Sequence, residues 1–321
     1  MVALGLDIGG TKCAVLLGKL ERGRCVILQK ERIATRDYPT WQLLLADLID
    51  RARRLLAAEK IEKTALCGIG VSCGGPLDLK NGLICSPPNL PGWDKVPIVS
   101  LLEKAFGVPV VLCNDADACA VAEWRFGAGQ GCRNLIFLTF GTGMGAGLIL
   151  NGALYTGGGF AGEVGHMRLA AQGPVGYGKA GSFEGFCSGG GLVKSAVYYA
   201  DACRKQGMPS ALYNRLSEVS AQTIAEAAAK GDAFALYIMK NCAKKLGQGL
   251  AVLIDILNPE KIIIGSIYER NQAFFAREML PALQEETLPA ALSQCEIVPA
   301  ALGESIGDVA ALSIVFTKEI I

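Results

Sequence analysis

Short apolar runs at 2–6, 13–17 and 26–30 open the chain, and apolar positions spaced for one face of a helix follow over 41–59. Further apolar runs at 65–71 and 109–113 predict buried strands. Asn114-Asp115 ends the second of these, and 116–126 predicts a helix closed by Gly127. Strands are predicted at 134–140 and 146–150, on either side of a glycine-rich turn. The stretch 157–191 is dense in glycine and lacks a regular period, so it predicts an irregular functional loop region. From 192 the pattern turns helical, clearest at 221–230 and 233–257, and Pro259 stops it before a strand at 261–265. A helix at 271–284, a strand near 296–298 and a last helix from about 305 complete the chain. A unit of strand, glycine turn and strand occurs twice, at 4–17 and 135–150. The whole reads as α/β.

Length turns this pattern into an expectation of two lobes, since 321 residues exceed one comfortable core. An apolar share of 51% against 19% charged residues is ample for folding. Lysine and arginine total 31 against 30 acidic residues, with no basic run to follow a phosphate track, so nucleic acid is not an expected partner. Asp7 arrives too early for a signal peptide, and Asp255, Asn258, Pro259, Glu260 and Lys261 interrupt the apolar stretch 250–265. Neither secretion nor a membrane span is expected, and the cytoplasm is the expected location. The twelve cysteines form no C-x-x-C pair, and Cys13, Cys67, Cys113 and Cys242 lie inside apolar runs. They read as reduced, small hydrophobes rather than a disulfide framework.

The chemistry concentrates in the repeated unit. In Asp7-Ile-Gly-Gly-Thr-Lys12 two glycines permit a tight turn, and a hydroxyl and an ammonium add donors suited to phosphate. Alone, this motif is equally a plain β-hairpin. Phe140-Gly-Thr-Gly-Met-Gly-Ala-Gly147 repeats glycine at every second position, unlike the G-x-G-x-x-G of a dinucleotide fold, and weakens a strand pair where a ligand would approach. One such turn in each half points to a bound polyphosphate.

Together with Gly68-Ile-Gly-Val-Ser-Cys-Gly-Gly-Pro-Leu-Asp78, Pro88-Asn-Leu-Pro-Gly-Trp93, Asn114-Asp115-Ala116 and Gly162-Glu-Val-Gly-His166, these motifs resemble the ROK group of sugar kinases and sugar-responsive repressors over nearly the whole chain. The resemblance implies a two-lobed actin-like ATPase fold, a duplicated ribonuclease-H-like architecture with a central cleft. The expected lobes are 1–116 plus 303–321, and 117–302. It implies ATP-dependent phosphorylation of a hexose, with Asp115 matching the base that accepts the proton of the primary hydroxyl. Asp115 could instead be a helix N-cap. Asn89, Asn114, Glu163, His166 and Glu184 match positions that bind sugar hydroxyls, and Asp7 matches a carboxylate that orients the Mg²⁺ of Mg-ATP through water. Gly9, Gly10, Thr11 and Lys12 match one phosphate turn, and Gly141, Thr142 and Gly143 the other. Gly265 matches the later turn near the adenosine, where Ser266 departs from the family's second glycine. A second departure is that Val175, Tyr177 and Ser182 stand where many relatives carry three cysteines that bind a structural zinc. No structural zinc is expected, which leaves His166 free for sugar. Glucose is the first candidate substrate, with N-acetylmannosamine, N-acetylglucosamine, fructose and allose as others. A homodimer is the expected assembly.

Three other readings compete. Gly70-Val-Ser-Cys-Gly74 fits a hydrolase nucleophile elbow, but Pro76 and Asn81-Gly82 break the long helix that an elbow must open. Gly173-Pro-Val-Gly-Tyr-Gly-Lys179 nearly matches a Walker A loop, yet Ala180 replaces the hydroxyl that reaches Mg²⁺. A non-catalytic sugar sensor related to the family's repressors is the main alternative. Asp7 leaves no room for an N-terminal helix-turn-helix, and the intact turn and Asp115 favour catalysis.

Overall fold

The structure, a computed structural model, describes residues 1–317. It opens with β1 (Val2–Ile8), β2 (Lys12–Glu21) and β3 (Arg24–Ala34), paired antiparallel in turn. Helix α1 (Trp41–Ala58) begins at Thr40, whose side chain accepts from Leu43 N, and buries Leu44, Leu45, Leu48, Ala52, Leu55 and Leu56 along one face. Strand β4 (Leu66–Cys73) then pairs parallel with β1. A small hairpin of β5 (Leu77–Asp78) and β6 (Leu83–Ile84) precedes α2 (Ile98–Phe106), which leads to β7 (Val110–Asn114), parallel to β4. Helix α2 is not predicted by the sequence pattern. It is only nine residues long, buries Ile98, Leu102 and Phe106, and ends at Gly107 with φ 72°. The first sheet runs β3-β2-β1-β4-β7. Its inner strands are covered on both faces, so they read as continuous apolar runs rather than alternation.

Helix α3 (Asp115–Phe126) follows directly, as expected. Then come β8 (Leu135–Phe140), β9 (Met144–Leu150) and β10 (Ala153–Leu154). Strand β9 starts earlier than predicted, because Gly145 and Gly147 lie inside it. A Cβ on Gly147 would stand 2.5 Å from Ala116 O, so α3 passes there at backbone distance.

The region 157–191, expected to be irregular, contains a 3₁₀ turn at Val164–His166, a hairpin of β11 (Val175–Gly176) and β12 (Lys179–Ala180), and α4 (Phe183–Phe186). Helix α5 (Gly189–Lys205) starts three residues before the predicted 192, because Ser188 caps it by accepting from Gly191 N at 2.8 Å. Helices α6 (Ala221–Ala229) and α7 (Ala233–Leu257), strand β13 (Lys261–Ile264), helices α8 (Ile267–Arg270), α9 (Gln272–Glu286) and α10 (Pro289–Leu292), and strand β14 (Glu296–Pro299) follow. The second sheet runs β10-β9-β8-β13-β14.

The chain divides into two compact units, one of residues 1–137, 147–161 and 301 onward, the other of 138–146 and 162–300. In the first, the last helix α11 (Ile306–Phe316) returns to the first sheet with Asp308 to Phe316 buried. A Cβ on Gly70 would lie 1.9 Å from Ala311 O, and one on Gly18 2.4 Å from Leu312 Cδ1. Gly70 therefore lets the α11 backbone rest on the sheet, and Gly18 leaves room for the Leu312 side chain. The end of α3 holds the approach to α11. The buried Glu123 carboxylate accepts from Ala128 N at 2.8 Å, Ala301 N at 3.2 Å and Leu302 N at 2.9 Å.

All twelve cysteines are free thiols, and Cys13, Cys73, Cys113, Cys187, Cys203 and Cys242 are buried. Cys67 is only partly so. Among the described residues no helix is long and apolar enough to cross a membrane.

Gly70→Ala should cost about 3 kcal/mol or more, because the added methyl meets a helix carbonyl rather than a movable side chain. Gly158→Ala, where a Cβ would meet nothing within 4 Å, should be near neutral. Urea unfolding of the two variants checks the contrast.

Candidate active site

Parallel strands β1, β4 and β7 set Ile8, Cys73 and Asn114 side by side in register, so Asp7 and Asp115 both stand at carboxyl-terminal strand ends. This is where open α/β sheets place ligands. Asn114 is the N-cap of α3. Its side chain accepts from Ala116 N at 2.9 Å, and Asp115 Oδ1 accepts from the same N–H at 2.8 Å. The capping role thus falls on Asn114, while Asp115 is the first helical residue. Its carboxylate is open to solvent on one side yet ringed by protein, and the loss of hydration raises its pKa against the opposing backbone N–H bonds.

Asp7 is pushed up to about 6, first by burial and then by the charges of Asp115 and Asp308; Lys12 and Lys30 act the other way. Asp308 forms ion pairs with Lys30 and, at 3.7 Å, Arg32. A Cβ on Gly307 would lie 3.5 Å from Asp7 Oδ2, so the first turn of α11 stands beside this carboxylate. Sequence reasoning missed Lys30, Gly307 and Asp308. No motif marks them, and only the return of α11 brings Asp308 from 278 residues away to Lys30.

The first glycine turn is tightly held. Gly9 N donates to Lys12 O at 3.2 Å, Thr35 N to Thr11 O at 3.0 Å and Thr35 Oγ1 to Gly9 O at 2.6 Å. A Cβ on Gly10 would stand 2.3 Å from Asn89 O, so Gly10 and Asn89 touch through their backbones. Thr11, Lys12 and Asn89 are exposed.

In the second unit, the turn Gly141–Thr142–Gly143 gives its carbonyls to the start of α5. Gly189 N donates to Gly141 O at 2.7 Å and Gly190 N to Thr142 O at 3.3 Å. Half-buried Glu184 accepts from Met144 N at 3.2 Å, and a Cβ on Gly143 would lie 2.9 Å from its Oε2. Glu184 thus braces the turn. Ser266, after buried Gly265, has φ 57° and ψ −108°, a glycine-favoured conformation that serine occupies at a strain cost of about 1–3 kcal/mol. Its Oγ lies 3.7 Å from where a Cβ of Gly141 would be.

Glu163 and His166 flank the short 3₁₀ turn and are exposed. His166 stacks on Tyr177 with ring centroids 4.1 Å apart. At the three positions that depart from a cysteine cluster, Ser182 Oγ donates to Gly176 O at 3.1 Å and caps α4 by accepting from Gly185 N at 3.1 Å. Val175 pairs with Ala180 across the hairpin. The loop is cross-linked by hydrogen bonds and a ring stack. Phe183 is fully buried, whereas Tyr177 stays half exposed.

The first unit offers two neighbouring carboxylates and a glycine turn, and the second unit a glycine turn braced by a carboxylate. The ROK family model matches residues 3–318. The glucokinase of Halalkalibacterium halodurans is 31% identical over 309 residues, covering 95% of this chain and 92% of its own. A xylose repressor of Caldicellulosiruptor bescii is 34% identical over 251 residues, 75% of this chain and 59% of the repressor. The ROK family glucokinase of Streptomyces griseus, solved in complex with glucose and AMPPNP, superposes with a TM-score of 0.70 at 30% identity, covering 97% of this chain and 98% of that one. The chain belongs to the ROK family, and its fold is the mixed α/β actin-like ATPase fold.

Because the folded state holds the Asp7 proton up to about pH 6, against 3.8 for a free aspartate, its contribution to stability is present below pH 4 and lost as pH rises through 6. Asp7→Asn should therefore stabilise the fold at pH 7.5 by about 1–3 kcal/mol, after allowance for partial solvent contact, and by less at pH 4.5. Urea unfolding at the two pH values checks this, and equal effects at both would contradict it.

Proposed function

We propose that this ROK sugar kinase transfers the terminal phosphoryl group of ATP to the primary hydroxyl of a hexose, with Asp115 as base. Glucose is the first candidate. N-acetylmannosamine, N-acetylglucosamine, fructose and allose are the others. The observation that carries the reading is Asp115 itself, a solvent-accessible carboxylate of raised proton affinity at a strand end, electrostatically coupled to Asp7. The glucokinase relative and the glucose and AMPPNP complex of the Streptomyces griseus enzyme support the sugar and the nucleotide.

Asp115 Oδ1 is tied to Ala116 N, which leaves Oδ2 to take the hydroxyl proton as the sugar oxygen attacks. In a loose transition state this base mainly orients its nucleophile, so a weak base suffices. Asn89, Asn114, Glu163, His166 and Glu184 hold the remaining hydroxyls through amide, carboxylate and imidazole groups that donate and accept as sugar hydroxyls require. Gly9, Gly10, Thr11 and Lys12, and with them Gly141, Thr142 and Gly143, cradle the phosphates, and Gly265 adjoins the adenosine. At Gly10 and Gly143 a side chain would collide with Asn89 or Glu184, so both turns stay bare of side chains, which supports the phosphate reading. Magnesium bound with the nucleotide neutralises charge on its phosphates, and Asp7, crowded by two other carboxylates, suits it through water. Each compact unit carries one glycine turn, 9–12 in the first and 141–143 in the second. A sugar sensor, as in the repressor relative, would keep the binding residues but have no use for turnover.

A coupled ADP-release assay over a hexose panel tests the reading. Wild type should turn over at least one of the named hexoses, and Asp115→Asn should lower kcat by about 10³-fold or more with its hexose Kd within about threefold. Near-normal turnover in the variant would remove Asp115 as base, and sugar binding without ADP release in wild type would favour the sensor.

Metal dependence gives a second test. The hydroxyl of Ser182 is committed to two loop hydrogen bonds and the Tyr177 ring to His166, which leaves one imidazole, too few ligands for a tetrahedral zinc. The purified enzyme should contain no stoichiometric zinc by elemental analysis, and chelation followed by Mg²⁺ alone should restore full activity. About one tightly bound zinc per chain, with unfolding on its removal, would refute this account of the loop.

A further inference from the structure

We propose that the β11–β12 hairpin is a clamp on His166 and that Tyr177 is its positioning residue, presetting the imidazole for the hexose; this rests on the sugar-contact reading of His166. The hairpin closes on the pair Gly176 and Lys179 through two residues of positive φ, Tyr177 at 51° and Gly178 at 70°. Such a two-residue turn favours asparagine or glycine at its first position, and a bulky ring is an outlier there. The tyrosine is accounted for by what its ring does. It lies on the His166 imidazole, centroids 4.1 Å apart and planes 21° from parallel. Its Cε2 also lies 3.3 Å from where a Cβ of Gly165 would be, so the ring covers the backbone just before the histidine.

The same hairpin grips the main chain. Lys179 Nζ donates to His166 O at 2.7 Å. The hairpin is itself anchored, since Lys194 Nζ donates to Val175 O at 2.8 Å, Ser182 Oγ to Gly176 O at 3.1 Å and Gly181 N to Pro174 O at 3.1 Å. An exposed imidazole would otherwise sample several rotamers, and fixing it before the sugar arrives reduces the entropy lost on binding.

His166 is the only histidine in the chain, so its ring gives a single, unambiguous ¹H–¹³C resonance. In the ligand-free protein that resonance should be displaced by the ring current of Tyr177, retained in Tyr177→Phe and lost in Tyr177→Gly. Glycine suits the positive φ, so the thermal midpoint of Tyr177→Gly should not fall, which separates positioning from folding. The hexose KM should rise about tenfold in Tyr177→Gly and stay within about twofold in Tyr177→Phe, with kcat and the ATP KM little changed. A His166 resonance unmoved by Tyr177→Gly overturns the clamp, and an unmoved hexose KM overturns its role in sugar binding. A wild-type protein that turns over no hexose overturns the kinase reading and the sugar role with it, a result visible without any variant.

Discussion

The backbone contact between α11 and the first sheet is the constraint on which the candidate site depends. A helix can rest on strands this closely only where they lack side chains; Gly70 meets the α11 backbone, and Gly18 makes room for Leu312. With α11 seated there, Gly307 comes to Asp7 Oδ2 and Asp308 to Lys30 and Arg32. Residues from the two ends of the chain therefore share one electrostatic environment. Glu123 secures the approach, its buried carboxylate spending its accepting capacity on three backbone N–H groups.

That environment is unfavourable for the fold taken alone. Burial and the charges of Asp115 and Asp308 raise the demand of Asp7 for a proton or a cation, and Lys12 and Lys30 relieve only part of it. Stored electrostatic stress of this kind is characteristic of sites that bind a charged partner. Under the proposed function, Asp115 combines raised proton affinity with access. Burial on most sides raises its proton affinity, and the open side admits a hydroxyl.

The two glycine turns look alike in sequence but are supported differently. The first leans on a threonine hydroxyl from the neighbouring strand region and on the backbone of Asn89. The second is braced by a carboxylate, Glu184, and by the first N–H groups of α5, with strained Ser266 alongside. Glu184 and Asn89 were both assigned to sugar. Each also touches a glycine turn, so under the proposed function hydroxyl recognition and phosphate placement would share supports within each unit.

Periodicity and punctuation alone revealed most elements, because their causes are local. Helix α7 begins at its Asp232 cap and ends at Asn258 with φ 42°, as its apolar pattern and Pro259 imply. The glycine turns and the Asn114-Asp115 strand end were likewise visible, since each needs particular residue types in consecutive positions. Short elements were not. Helix α2 and the β11–β12 hairpin are too brief to show a period, and the glycine-rich 157–191 region hid a Ser188 cap. What only the tertiary structure decided was partnership at a distance. Nothing near Asp308 marks it for Lys30, and nothing near Tyr177 marks its ring for His166, because such contacts depend on where the chain returns in space and not on which residues adjoin.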